Sequence, residues 1–329
     1  MSQPQKHVKR SEQEQLPRPI QAGSRYAADK QDMMTSLDCI PCIIRQAVQA
    51  VRFVTSDAAV HEQIVRDVLA TAATMDLKQS PPVVGQKVHR MLREMTGMDD
   101  PYHAIKAHFN RVALEMLPAL SGNVKAASDP LAMAVRYAIA GNVIDLGITN
   151  DLTDNEVRRA LDQVLSEPFV GDWKEFRRAI ADAKSILYLA DNAGEIVFDR
   201  LLIEQLPPGR VTLAVRGGAV LNDATMADAW TARLQEIAEV IDNGSDAPGT
   251  LLGDCSGPFL KRFTEADLII AKGQGNFETL SEEAANIFSL FQVKCPVVAT
   301  HTGLPIGTHV LVRSGSASAT GQCHRQARV

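Results

Sequence analysis

Asp191-Asn192-Ala193-Gly194-Glu195 joins an apolar run, Ile186 to Ala190, to a helical pattern from Ile196 to Leu206. Two oxygen-bearing side chains therefore stand where a strand is expected to end, beside a glycine turn and a helix start. Ligands collect at the carboxyl ends of strands in open α/β sheets. The free N–H groups and dipole of a helix N-terminus also suit phosphate. Similar polar clusters follow other apolar runs. Arg216-Gly217-Gly218 and then Asn222-Asp223-Ala224-Thr225 come after Val211–Val215, and Asp242 to Asp246 comes after Ile237–Ile241. Lys272-Gly273-Gln274-Gly275-Asn276 comes after Leu268–Ala271.

Asp191, Asn192 and Asp223 offer two carboxylates and an amide oxygen. That hard, all-oxygen set suits Mg²⁺ or Mn²⁺ with waters left on the ion for a substrate phosphate. The alternative is that Asp191 and Asp223 each cap the helix that follows. The lysine–glycine stretch resembles a phosphate loop, with a cation, two glycines and a helix N-terminus. It lacks the Gly-Lys-Ser/Thr ending of a Walker A motif and the dinucleotide spacing, and a plain glycine turn is its alternative. Arg216 is a candidate second anion ligand or a surface residue. Glu195 is placed to bond substrate or orient a water. Asp242-Asn243-Gly244 is a turn signature, structural or substrate-facing. Cys39-Ile40-Pro41-Cys42 is a lone CxxC, without the further ligands a structural zinc needs, and it opens a helical stretch rather than following a strand. It reads as two buried cysteines at a helix start. His301, after the run Val297–Ala299, is expected as a turn residue at the same sheet edge.

The elements that must carry these residues follow from periodicity. From Thr35 to about Pro118, apolar residues recur at spacings of three and four, and a further helix follows Asp129-Pro130 to Ala140. From about Lys184, short apolar runs alternate with helical stretches: Ile186–Ala190, Val211–Val215, Ile237–Ile241, Leu268–Ala271, Val297–Ala299 and Val310–Val312. Helices are expected from Ile196 to Leu206, Thr225 to Ile237, Pro258 to Phe263 and Asn276 to Gln292. Such alternation predicts an α/β fold, a three-layer α/β/α Rossmann-like and mostly parallel sheet with an all-helical N-terminal lobe. The expected division is a polar tail over 1–34, a helical lobe over 35–183, an α/β domain over 184–313 and a tail over 314–329.

The chain has 329 residues, 45% hydrophobic and 22% charged, with a net charge of -5. These values fit a soluble enzyme and carry no nucleic-acid footprint. No apolar run approaches the ~20 residues of a membrane span, and the polar N-terminus lacks the apolar core of a secretory signal. Five cysteines, an odd number, point to free thiols and a cytoplasmic setting.

Taken together, Asp191–Glu195, Leu221–Thr225, Asp242–Thr250 and Ala271–Leu280 resemble the motifs of the damage-control phosphatase family, also catalogued as domain of unknown function 89. Cys39–Cys42 with Gln46-Ala47, Asp100-Pro101-Tyr102 and Gly141–Gly147 are similar to its microbial subgroup with paired cysteines. The resemblance runs from about Leu37 to Val312. It implies a divalent ion (Mn²⁺, Mg²⁺, Co²⁺ or Ni²⁺) on Asp191, Asn192 and Asp223, and phosphatase activity on small phosphorylated metabolites, sugar phosphates among them. On that reading Asp191, Asn192, Lys272 and Glu195 are catalytic. Arg216, Gly273, Gln274, Gly275 and Asn276 bind phosphate, with Asn142 and Asp145 as specificity candidates. Asp191 can serve as ligand or as nucleophile. The rivals are an S-adenosylmethionine-dependent carboxyl methyltransferase and a non-catalytic metal or metabolite binder. No nucleic-acid or membrane partner is expected.

Overall fold

In the central strands, alternate residues are apolar on both sides, so the sheet must be covered on both faces. Ile186 and Tyr188 join one buried cluster, Leu187 and Leu189 another. The computed structural model describes residues 33–141, 161, 164 and 166–314. Among these, seven strands form one sheet: β1 (Phe169–Gly171), β2 (Ile186–Leu189), β3 (Val211–Val215), β4 (Glu239–Asp242), β5 (Leu268–Lys272), β6 (Ile287–Gln292) and β7 (His309–Arg313). Their order is β1-β7-β6-β5-β2-β3-β4. β2 to β6 are parallel, while β7 runs antiparallel to β6 and parallel to β1. The order turns back on itself between β2 and β5, because β3 and β4 extend one way and β5 and β6 the other. Ligands of open α/β sheets gather at the carboxyl ends of the strands that flank such a reversal.

The helical half comprises α1 (Cys39–Val54), α2 (Ala58–Thr74), α3 (Pro81–Thr96), α4 (His103–Ala126) and α5 (Pro130–Ala140). Asp57 caps α2 and Asp129 caps α5, each carboxylate accepting a first-turn N–H. The helix α4 passes through Pro118 instead of stopping near it. α1 to α3 share an apolar core of their own, with Ala47, Ile64, Val88 and Leu92 at its centre. α4 and α5 pack instead into the main core, with the sheet and the helices α6 (Trp173–Asp182), α7 (Glu195–Ile203) and α8 (Met226–Thr231). The other face is covered by α9 (Gly257–Glu265) and α10 (Gly273–Leu280), and α11 (Pro296–Thr302) packs beside them.

Three elements differ from the sequence reading. The stretch Asn276 to Gln292, expected as one helix, ends as helix at Leu280 and resumes as the strand β6. Its run Ile287-Phe288-Ser289-Leu290-Phe291 is apolar on both faces and buried throughout. Such a run fits a central strand as well as a helix, so periodicity alone does not separate them. Val297–Ala299, expected as a strand, lies in α11, which Pro296 starts at its first turn. Finally, the sheet begins at Phe169 rather than near Lys184: three-residue β1 pairs with β7, and α6 follows it. A strand that short carries little signal of its own. No described helix is long and apolar enough to cross a membrane.

Candidate active site

The site forms where β2 and β5 end. Asp191 follows β2, and its backbone carbonyl accepts from Ala224 N at 2.7 Å. Asn192 and Asp223 form an antiparallel bridge, and Ala193 N donates to Asn222 O at 2.8 Å. The turn bringing Asp223 back holds Leu221 at φ 47°, a left-handed conformation unusual for leucine. Gly194 takes φ 78° at the start of α7. The three candidate ligands are thus set by backbone pairing between two strand ends. Neither aspartate is a helix cap: Gly194 occupies that position for α7, and Thr225 with Asp228 forms a capping box for α8.

All three side chains are largely buried, Asp191 keeping a side-chain exposure of 11%. Asn192 Nδ2 donates to Asp191 Oδ2 at 2.8 Å and to Glu195 Oε2 at 3.1 Å. Arg216, at the end of β3, donates from Nε to Asp223 Oδ2 at 2.7 Å and from Nη1 to Asn276 Oδ1 at 3.2 Å and Thr250 Oγ1 at 3.4 Å. Its Nη2 lies 3.7 Å from Asp191 Oδ1 and is buried without a hydrogen bond. A buried guanidinium thus lies against both aspartates with one nitrogen left for a further acceptor.

The phosphate-loop candidates part company here. Gly273 has φ 79°, and a Cβ on it would overlap the Asp191 carboxylate. That glycine is required for the first turn of α10 to come up against Asp191. Gly275 likewise meets the backbone carbonyl of Pro248 too closely for any side chain. Asn276 is fully buried: Nδ2 donates to Ala190 O and Lys272 O, while Oδ1 accepts from Thr250 and Arg216. It ties the two strand ends together. Gln274 turns away, donating to Glu278 Oε1 at 2.8 Å and contacting Cys295 Sγ at 3.6 Å. Burial pushes the Glu278 carboxyl up to about 7.

Lys272 does not face the crevice. Its ammonium is wholly buried and donates to Ala138 O at 2.7 Å, Glu195 Oε1 at 2.6 Å and Asp199 Oδ1 at 2.6 Å. Three protons meet three acceptors, so none is left for a phosphate oxygen. Burial alone would favour the neutral amine, but the two carboxylates outweigh it and hold the lysine charged. Burial raises both Glu195 and Asp199, against the pull of the single ammonium they share. Tyr188 adds a bond to Asp199 Oδ1 at 2.7 Å.

Asn142 and Asp145 lie outside the described residues. Gly141, just before them, is close-packed against Glu195 and Phe198. His301 sits in the last turn of α11, edge-on to Phe277, and not in a turn after a strand. Cys39 and Cys42 are free, half-buried thiols in the first turn of α1, and burial pushes Cys39 up.

Several positioning residues escaped the sequence reading. Asn110 Oδ1 accepts from Gly194 N at 2.7 Å, and its Nδ2 donates to Asp228 Oδ1 at 2.8 Å. Lys106, one turn earlier on α4, reaches Asp228 Oδ2 at 3.0 Å and Asp100 Oδ2 at 3.1 Å. The available signal was two polar residues four apart beside the apolar stripe Ile105, Phe109, Val112. Asp199 lies four residues after Glu195, on the same helix face. After β4, Asp246 is gripped by Gln86, Arg90 and Arg93 of α3. In the Asp242-Asn243-Gly244 turn, Asp242 Oδ1 accepts from Gly244 N, and Asn243 Oδ1 accepts from Gly217 N and Ser245 N.

Among the described residues, no three His, Cys, Asp or Glu side chains converge as a metal-binding group. The candidate set has only two carboxylates, and Asn192 must supply the third oxygen. Its nitrogen is engaged by two carboxylates, which leaves the oxygen as the atom to offer. The donor set therefore fits a hard divalent ion.

The fold is of the open, mostly parallel α/β class, with the candidate residues gathered where the strand order reverses. The sequence matches the damage-control phosphatase ARMT1-like domain over residues 35–310, and the chain belongs to that family. It is 35% identical over 288 residues to an uncharacterized protein of Methanocaldococcus jannaschii, covering 84% of this chain and 94% of that one. It is 33% identical to the damage-control phosphatase of Pyrococcus horikoshii over 86% of this chain and 99% of the other. A damage-control phosphatase of Archaeoglobus fulgidus is 33% identical over 83% and 96% of the two chains. The crystal structure of the DUF89 family protein from Pyrococcus horikoshii superposes with a TM-score of 0.78 at 31% identity, over 86% of this chain and 99% of that one.

Proposed function

We propose that this protein is a metal-dependent phosphomonoesterase acting on small phosphorylated metabolites, with sugar phosphates as the leading class. The observation that carries the reading is the joining of Asp191, Asn192 and Asp223 at the sheet's reversal point, with Arg216 against both aspartates. When bound there, a divalent ion such as Mn²⁺, Mg²⁺, Co²⁺ or Ni²⁺ would supply charge for a phosphate oxygen and lower the pKa of a bound water. Arg216 Nη2, the donor without a hydrogen bond, lies 3.7 Å from Asp191 Oδ1 and would neutralise charge on the transferring group. The first turn of α10, pressed against Asp191 through Gly273, adds N–H groups that have no partner within the helix. Phosphoryl transfer needs mainly such positioning and charge. The family membership and the two relatives named as damage-control phosphatases support the same reaction class.

The test is phosphate release from metal-stripped protein given p-nitrophenyl phosphate and a panel of sugar phosphates, with each ion added singly. We expect turnover restored by at least one ion and abolished in Asp191→Ala that remains folded by circular dichroism. Turnover indifferent to chelation, or an Asp191→Ala variant near wild-type rate, overturns the reading.

A further inference from the structure

Asn192 is the weak member of the candidate ligand set, because an amide can present either oxygen or nitrogen to an ion. The structure shows what decides between them. The amide end between Asp191 Oδ2 and Glu195 Oε2, at 2.8 and 3.1 Å, faces two carboxylate oxygens and must be the NH₂. Glu195 is held in turn. It is wholly buried, and its other oxygen accepts from Lys272 Nζ at 2.6 Å. Lys272 is fixed by Asp199 and Ala138 O, and Asp199 by Tyr188.

We infer that Glu195, braced by Lys272 and Asp199, is a positioning residue whose task is to orient the Asn192 amide so that its oxygen faces the metal. This rests on the metal-dependent reading above. It moves Lys272 from the phosphate to the support of a ligand, and it gives Glu195 a role that needs no contact with substrate. Outer partners of this kind commonly set ligand orientation at metal sites.

The arrangement makes an unusual demand on Glu195→Gln. The substitution keeps size and shape. Lys272 can donate only to the new amide's oxygen, so its NH₂ must face Asn192. Two NH₂ groups cannot share that bond, so Asn192 either keeps its NH₂ on Asp191 Oδ2 without its second acceptor or turns its nitrogen toward the ion, and in both cases the amide oxygen loses its fixed orientation. Adding Asn192→Asp gives the new NH₂ an acceptor, keeps an oxygen toward the ion and returns the net charge to its original value, but it loses the bond to Asp191 Oδ2.

The experiment measures Mn²⁺ affinity of the full-length protein by titration calorimetry and by the electron paramagnetic resonance of free Mn²⁺, with thermal unfolding as a control for the fold. We expect Glu195→Gln to weaken Mn²⁺ binding on the order of 10 to 100-fold, and the Glu195→Gln/Asn192→Asp pair to recover part of it. Wild-type-like binding by Glu195→Gln overturns the inference. So does weak binding that Asn192→Asp fails to rescue, which would mark a general disturbance of the site. If wild-type protein releases phosphate but binds none of Mn²⁺, Mg²⁺, Co²⁺ and Ni²⁺, the metal-dependent reading fails first and this inference falls with it. If the wild type binds and turns over normally while Glu195→Gln is unchanged, only the inference is lost.

Discussion

Asp191 and Gly273 meet so closely that the fit of one depends on the other lacking a side chain. Gly273→Ala would put a methyl into the Asp191 carboxylate and hold an L-residue at φ 79°. The backbone cost is about 1–2 kcal/mol, and the larger consequence is displacement of the carboxylate. A shift near 1 Å costs on the order of 100-fold in rate. We expect Gly273→Ala to stay folded and lose turnover on that scale, read from steady-state phosphate release. Gln274→Ala is the contrast, because that amide faces Glu278 and Cys295. It should keep a rate near wild type, and a loss as deep as that of Gly273→Ala would refute the placement. Residue type and position after an apolar run were enough to single out Asp191, Asn192, Asp223, Arg216 and the lysine–glycine stretch. Side-chain direction was not. Lys272 and Gln274 sit where a phosphate loop would have them, yet both point elsewhere, because burial and nearby acceptors decide rotamers.

At the scale of elements, the helical half holds the Asp191–Glu195 turn in place. Asn110 on α4 accepts from Gly194 N and donates to Asp228, while Lys106 grips the same Asp228. Asn110→Ala leaves the buried Gly194 N–H and Asp228 Oδ1 each short of a partner. Each such group costs about 1–3 kcal/mol. Urea unfolding should show a loss of at least that order, with turnover falling as well. A change within about 0.5 kcal/mol, the range of an ordinary surface substitution, would show that α4 does not brace the turn. This link joins residues more than eighty positions apart in the chain. No local pattern predicts it, although two polar residues four apart beside an apolar stripe mark where to look.

For the whole molecule, two buried histidines set an acid limit. Burial pushes His89 down to about 4, helped by the Arg93 charge, and pushes His309 down to about 4, helped by Arg136. An unfolded histidine titrates near 6.5. Between about 4 and 6.5 the unfolded chain therefore binds protons that the folded chain refuses, and stability rises with pH. The contribution is complete above about 6.5 and is lost as pH falls toward 4. Glu278, pushed up to about 7, works in the opposite direction over the same range, so the difference between urea midpoints at about pH 7 and about pH 5 is the histidine gain less that loss. His89→Gln, which can still accept from Tyr102, should reduce that difference. Equal sensitivity in the variant and the wild type would place the acid response elsewhere.

The alternation of apolar runs with helical stretches, and the polar residues closing each run, were properties of the chain itself. They determined a mostly parallel α/β sheet and the cluster at its carboxyl edge, because strand period and turn chemistry are local. The tertiary structure decided what local chemistry cannot express. It made Ile287–Gln292 a strand, since only the neighbours β5 and β7 reveal that both its faces are covered. It placed β2 beside β5, and so Asp191 against Gly273. It also turned Lys272 inward to Glu195 and Asp199, because a buried ammonium goes where acceptors compensate for the loss of water.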